Sequence, residues 1–251
     1  MPSPADWQPA WEELTFAAAL AAGYLAAVRR VPAAPARRAA FLAACLLVGA
    51  VTLSPLATIA LHYQLWAHLV QNVALAEWAP ALAVLGIPSA LAAALTRARL
   101  LRRLTHPLVA LPAWLAAYGL WHVPALYEAA LRHRALLDLE HVTYFAAGCL
   151  LWWPVFQHEP RRLPPGAKSA YLFAAFVFAS PLGLLLALLP SPVYGFYERA
   201  PRLWGLDALT DQQIAGVAMA VSEAVVFFGV FAWFFVRFLA EEEAGYSHPH
   251  A

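Results

Sequence analysis

The chain has 251 residues, of which 63% are hydrophobic and 12% charged, about half the charge usual in a soluble domain. Mean hydropathy is +0.62, and the apolar residues fall in runs of about 20, long enough to cross a ~30 Å hydrocarbon core as helix. These features exclude a water-soluble globular fold and point to an all-α integral membrane protein; the net charge of +1 gives no footing for a nucleic-acid partner.

Seven spans are expected in one domain covering residues 1–251: about 14–28, 39–61, 64–86, 107–122, 135–156, 169–190 and 211–236, with a flexible tail over about 241–251. The opening stretch "MPSPADWQPAWEEL" lacks the basic region of a cleavable signal peptide. Proline punctuates the spans: Pro32 and Pro35 follow the first, Pro88 the third, and Pro107 opens the fourth. Pro124 closes the fourth, Pro160 follows the fifth, and Pro190 and Pro192 end the sixth. Ser54-Pro55 falls inside the second span and should kink it. Between the fourth and fifth spans, "ALYEAALRHR" is short and amphipathic, which suits an interfacial helix. Cys45 and Cys149 stand singly in apolar runs, as buried small hydrophobes rather than a disulfide or a thiolate clamp.

The basic residues are distributed unevenly. One set of connections holds Arg29, Arg30, Arg37, Arg38, Arg97, Arg99, Arg102, Arg103, Arg161, Arg162, Lys168 and Arg237, while the other holds Arg132, Arg134, Arg199 and Arg202. The first set should face the cytoplasm, placing the N-terminus outside and the C-terminus inside.

With that topology, polar residues from four spans reach one level near the outer face. These are His62, His68 and Asn72 of the third span region, His122 of the fourth, Asp138, Glu140 and His141 of the fifth, and Asp211 and Gln212 of the seventh. Histidine is the commonest nitrogen ligand of transition metals, and helix bundles build metal sites from facing helices. His68, His122 and His141 would suit copper, or zinc, with Asp138 or Glu140 orienting a ring. The competing reading makes each an interfacial residue or a helix-to-helix hydrogen-bond donor. Glu77 and Glu223 lie deeper, where ionisable groups are costly and face the bundle interior; they suit a structural pair or a proton or ion relay.

The segment "LSPLATIALHYQLWAHLVQNVALAEWAPALAVLGIP" resembles the second-to-third-span region of the CtaG-type assembly factors of caa3-type cytochrome c oxidase. "HPLVALPAWLAAYGLWHVPALYEAALRHRALLDLEHVTYFAAGCLLWWPVF" is similar to that family's central block, with its W-H-x-P, A-L-Y-x-A-A-L and L-E-H elements. "WGLDALTDQQIAGVAMAV" is similar to its D-Q-Q-x-A-G opening of the last span. The resemblance implies a seven-helix protein of the bacterial cytoplasmic (inner) membrane that assists assembly of a haem–copper oxidase by helping copper reach it. Its partners would be oxidase subunits or another copper carrier. The family's metal-site histidines correspond to His68, His122 and His141, with Asp211 and Gln212 near them. The family's third span usually reads H-M-x-Q-H, whereas this chain has His68-Leu69-Val70-Gln71-Asn72; an amide is a poor copper ligand.

Two further function classes stay open. A haem-binding bundle could use His68 and His141 as axial ligands, and a transporter could use Glu77 and Glu223. No G-x-S-x-G or H-E-x-x-H motif supports an enzyme. A retinal protein needs a mid-membrane lysine in its last span, and the single lysine is Lys168.

Overall fold

The computed structural model describes residues 1–246; His248 and His250, expected in a tail, lie outside the described residues. Every regular element described is a helix. The first of the expected spans falls on α1 (Trp11–Arg30). The second breaks at Ser54-Pro55 into α2 (Pro35–Leu53) and α3 (Pro55–His62). Pro55 cannot continue the backbone ladder, and the Ser54 hydroxyl restarts it by accepting from the Leu56 N–H at 3.3 Å. The helix α4 (Leu65–Gly86) agrees with the expected third span. Two short helices missed in the sequence, α5 (Ser89–Leu95) and α6 (Arg99–Leu104), carry the chain to α7 (Pro107–Trp121). The expected amphipathic helix is α8 (Pro124–Arg132), bent 72° from α7.

The remaining elements are α9 (Arg134–Phe156), α10 (Pro165–Leu188), the short α11 (Gly195–Arg199) and α12 (Ala208–Tyr246). The last of these corrects two expectations. The seventh apolar helix extends well past residue 236, and residues 241–246 continue it instead of forming a flexible tail. Glu241, Glu242 and Glu243 are good helix formers, so the charge run that marks the end of the apolar stretch does not end the helix.

By length and composition, four helices are fit to cross a membrane: α2, α4, α10 and α12. The bent α7–α8 pair makes a fifth if it is counted as one span. Helices α1 and α9 are 20 and 23 residues long but carry charge: Glu12, Glu13, Arg29 and Arg30 in α1, and Arg134, Asp138 and Glu140 in α9.

Helix α4 is the central strut, and its hydrogen-bond ladder is completed by side chains from other helices. At its start Asp211 of α12 accepts from the N–H groups of Leu65 and Trp66, at 2.8 and 3.0 Å. Those donors would otherwise be orphaned at a helix N-terminus. At its end the Gln157 amide donates to the carbonyls of Val84 and Ile87, and Arg37 donates to those of Leu85 and Ile87. Midway, residues Ala74–Trp78 form a π-helical turn. Pro80 has no N–H to offer the Ala76 carbonyl; the Trp114 indole donates to it instead, at 3.2 Å, and the Trp152 indole donates to the Glu77 carbonyl at 2.9 Å. Helix α9 crosses α4 at this turn on Gly148. A Cβ there would lie 2.3 Å from the Ala76 carbonyl oxygen, so no other residue permits the approach.

Two ends of the bundle result. One gathers the N-terminal segment, the α3–α4 junction, the α7–α8 bend and the loop around α11. There Gln8 and Thr58 pair, Tyr63 bonds to the Pro2 carbonyl, and Gln64 donates to Leu203. The other gathers the turns after α1, α4, α6 and α9, joined by Arg37 to Ile87 and Arg161 to the Arg102 carbonyl.

Candidate functional site

Nine residues from the sequence analysis lie toward the first end, and the structure sorts them into different tasks. His68, on the first turn of α4, is fully buried. Its Nδ1 lies 2.9 Å from the Tyr197 hydroxyl of α11. That hydroxyl donates its single proton to the Ala60 carbonyl at 2.6 Å, so it can only accept from the ring. Nδ1 of His68 is therefore the protonated nitrogen, and Nε2 carries the free lone pair. His122, at the C-terminal end of α7, follows the same logic. Its Nδ1 is 2.8 Å from the Tyr118 carbonyl, which has no proton to give. The Nε2 atoms of both rings are buried and have no hydrogen-bond partner among the described residues.

The two imidazoles flank one side chain, Tyr127 of α8, with ring centroids 5.0 Å from His68 and 6.3 Å from His122. Tyr127 is completely buried, stacks on Tyr194 at 4.2 Å, and leaves its hydroxyl unpartnered. Tyr194 ties this platform to the α7–α8 bend by donating to the His122 carbonyl at 3.0 Å. Two residues from the second part of the set line the same region. Asn72 donates to one oxygen of Glu140 at 3.0 Å, while the other Glu140 oxygen and the Asn72 carbonyl are buried without partners.

His141 takes a neighbouring position. Its Nδ1 stands 3.4 Å from Glu13 of α1, beside a cavity of about 60 Å³ lined by Phe16, Val48 and Leu75 among others. Asp138 pairs with Arg134 at 2.9 Å, and Arg134 also pairs with Glu13. His141 and His122 both lie within electrostatic range of His68. Among the described residues, no three His, Cys, Asp or Glu side chains stand together as a metal clamp. The three histidines thus resolve into a pair around Tyr127 and a third against Glu13.

Three other residues sit elsewhere. His62 borders a surface pocket with Arg132 and Arg199. Asp211 caps α4, as described above. Gln212 accepts from the Val193 N–H at 2.7 Å and donates to the carbonyls of Leu186 and Ser191, which fastens the loop after α10. The polar opening of α12 serves backbone groups rather than the histidines. Sequence reasoning missed Glu13, Tyr127, Tyr194 and Tyr197. The tyrosines had a faint signal in the i, i+3 spacing of Tyr194 and Tyr197 beside an amphipathic helix; Glu13 had none, since its partner is more than a hundred residues away.

Deeper in the bundle, Glu77 sits on the π-helical turn, fully buried, with neither oxygen partnered among the described residues. Glu223 of α12, also fully buried, accepts from the Tyr118 hydroxyl. The two carboxylates lie within electrostatic range of each other. Tyr118 connects the levels, since its carbonyl holds His122 and its hydroxyl reaches Glu223.

No curated protein and no solved structure matches the chain. A family model described as cytochrome c oxidase caa3 assembly factor (Caa3_CtaG) matches residues 18–241, taking in every helix from α2 to α11 and both levels of buried polar residues. Extending over most of the sequence, that match shows that the chain belongs to the caa3-type cytochrome c oxidase assembly factors.

Proposed function

We propose that this assembly factor carries copper as cargo in the bacterial cytoplasmic membrane, passing it toward a haem–copper oxidase, and that His68 and His122 take the ion. The observation that supports this reading is the shared tautomer. Each ring donates through Nδ1 to a fixed oxygen and leaves a buried Nε2 lone pair without a partner. Such orientation by a hydrogen bond on the far nitrogen is how metal-ligating imidazoles are held, and imidazole suits copper and zinc alike. Glu140, with one free oxygen, and His141 are the neighbouring groups that could complete a transient coordination sphere. A site with two strong ligands rather than a closed clamp matches a carrier that must release its ion. Asn72 then holds Glu140 in place instead of binding metal.

The expected membrane orientation belongs to the same proposal. Seven crossings, with the N-terminus outside, put the histidine end at the outer face and the arginine-rich turns in the cytoplasm. The partners would be oxidase subunits or another copper carrier.

Competition titration of the purified full chain against a Cu(I) chelator should find about one ion per chain. The His68→Ala/His122→Ala variant should lose it, and His141→Ala should weaken it. Equal copper in wild type and the double variant would remove the reading. A second reading, a proton or ion path through Glu77 and Glu223, is favoured by the unpartnered carboxylate on the π-helical turn. Flux in liposomes that is unchanged by Glu77→Gln would dispose of it.

A further inference from the structure

At the arginine-rich end, two adjoining cavities open between the ends of α9 and α10 and the side of α12. The first, of about 310 Å³, is lined by His158, Arg162, Lys168 and Arg237, with Glu241 the one acid on its wall among the described residues. The second, of about 460 Å³, shares His158, Lys168, Phe234 and Arg237 with the first. It continues as an apolar groove over Leu85, Phe156, Val230 and Trp233. A cationic pocket and a greasy trough are thus joined end to end, with Lys168 at the junction.

Lys168 is an unusual residue to find there. It is only 6% exposed, and its ammonium stands 4.6 Å above the Phe234 ring. The charges acting most strongly on it, Arg162 and Arg237, are both of the same sign. A buried ammonium normally has an anionic partner, and a ring face supplies only part of that stabilisation. The positive field is felt next door as well. Burial, then Lys168, Arg162 and Arg37, hold the His158 imidazole below its ordinary range. The N-terminus of α10 adds to this field, because it opens beside the pocket with no side chain capping it.

We propose that this pocket and groove hold one anionic phospholipid, its phosphate on Lys168, Arg162 and Arg237 and an acyl chain along Phe156, Val230 and Trp233. A free phosphate would use only the first cavity, and a neutral lipid only the second. The continuity of the two selects an amphiphile with a negative head, and basic pockets between helices at the cytoplasmic face are suited to such lipids. This site is separate from the histidines and does not depend on copper.

The test uses the purified full chain, delipidated in mild detergent, with native mass spectrometry to count bound lipid. Phosphatidylglycerol should be retained as one molecule per chain and preferred over phosphatidylcholine with the same acyl chains. Lys168→Gln/Arg237→Gln should weaken its retention about thirtyfold, as expected for two lost cation contacts. Gly229→Leu provides the second arm. A Cβ at Gly229 meets nothing within 4 Å, and Gly229 lines the groove, so a leucine there should narrow it; the variant should reduce lipid retention and leave helix content unchanged. Equal retention of the two lipids by wild type would overturn the proposal. So would displacement of phosphatidylglycerol by inorganic phosphate alone, or full retention in Gly229→Leu.

Discussion

The two ends of this bundle treat polar side chains in opposite ways. At the histidine end the polar side chains are buried and held through one of their atoms by an assigned partner. Tyr197 holds His68, Asn72 holds Glu140, and Asp211 holds the start of α4. Among the atoms left over in the described residues are the Nε2 atoms of His68 and His122, one oxygen of Glu140 and the Tyr127 hydroxyl. At the arginine-rich end, Arg162, Lys168 and Arg237 gather around open cavities of about 310 and 460 Å³. A closed, tightly bonded region can hold a small ion, and an open one of uniform charge can hold a larger amphiphile. The difference follows from where the chain buries hydrogen-bond acceptors, since an Arg or Lys left near an interface can extend toward water, whereas a buried imidazole cannot.

Removing a bond at the closed end tests this contrast most severely. Asp211→Ala strips two buried N–H groups of their acceptor and should cost about 3 kcal/mol, seen as a marked fall in Tm. Arg162→Gln at the open end should leave stability within about 0.5 kcal/mol; comparable losses from both would erase the distinction. A smaller effect should follow Tyr197→Phe, which deletes the acceptor for the His68 Nδ1 proton and frees that ring to turn. Copper affinity should fall roughly tenfold or more while the helix content stays as in wild type, and an unchanged affinity would mean that the hydroxyl does not orient the ligand.

The smallest effect concerns Asp207, the exposed counterpart of Asp211. It caps its own helix by accepting from the Leu209 and Thr210 N–H groups at 2.9 Å. The N–H and hydroxyl of Thr210 hold its carboxyl below the ordinary value of 3.8. The folded state therefore binds that proton less readily than the unfolded one. The cap is fully effective above pH 3.8 and is lost as pH falls through the lower folded value. Hydrogen exchange at Leu209 and Thr210 should quicken over that range; a flat profile would show that the cap contributes nothing.

Much of the fold was legible because proline and apolar run length are local signals. Ser54-Pro55 announced the α2–α3 break, and the run from Leu65 to Gly86 announced α4 whole. Less local features escaped. The short helices after Pro88 and Ala98 lie in segments too polar or too brief to show a period. The extension of α12 past Val236 is invisible to a reading that equates the end of apolarity with the end of a helix. Site residues divided along the same line. His68 and His122 stood out as histidines in an apolar chain, whereas Asp211 and Gln212, expected near them for the same reason, hydrogen-bond to backbone groups. Polarity inside a membrane helix identifies a group that must be satisfied, and only the neighbours decide how.

The π-helical turn at Ala74–Trp78 gives the site a further dependence. Such a turn holds one residue more than an ordinary helix would, and each residue advances the helix by about 100°. The half of α4 that carries His68 and Asn72 is thereby indexed against the half packed on Gly148. Deleting one residue from this turn would close it to an ordinary α-helical turn, and it would remove a buried side chain as well, since Ala74, Leu75, Ala76 and Glu77 are all buried. The buried carboxylate of α4 thus stands where the helix backbone is wider than ordinary and where the neighbouring Ala76 and Glu77 carbonyls are met by two indoles.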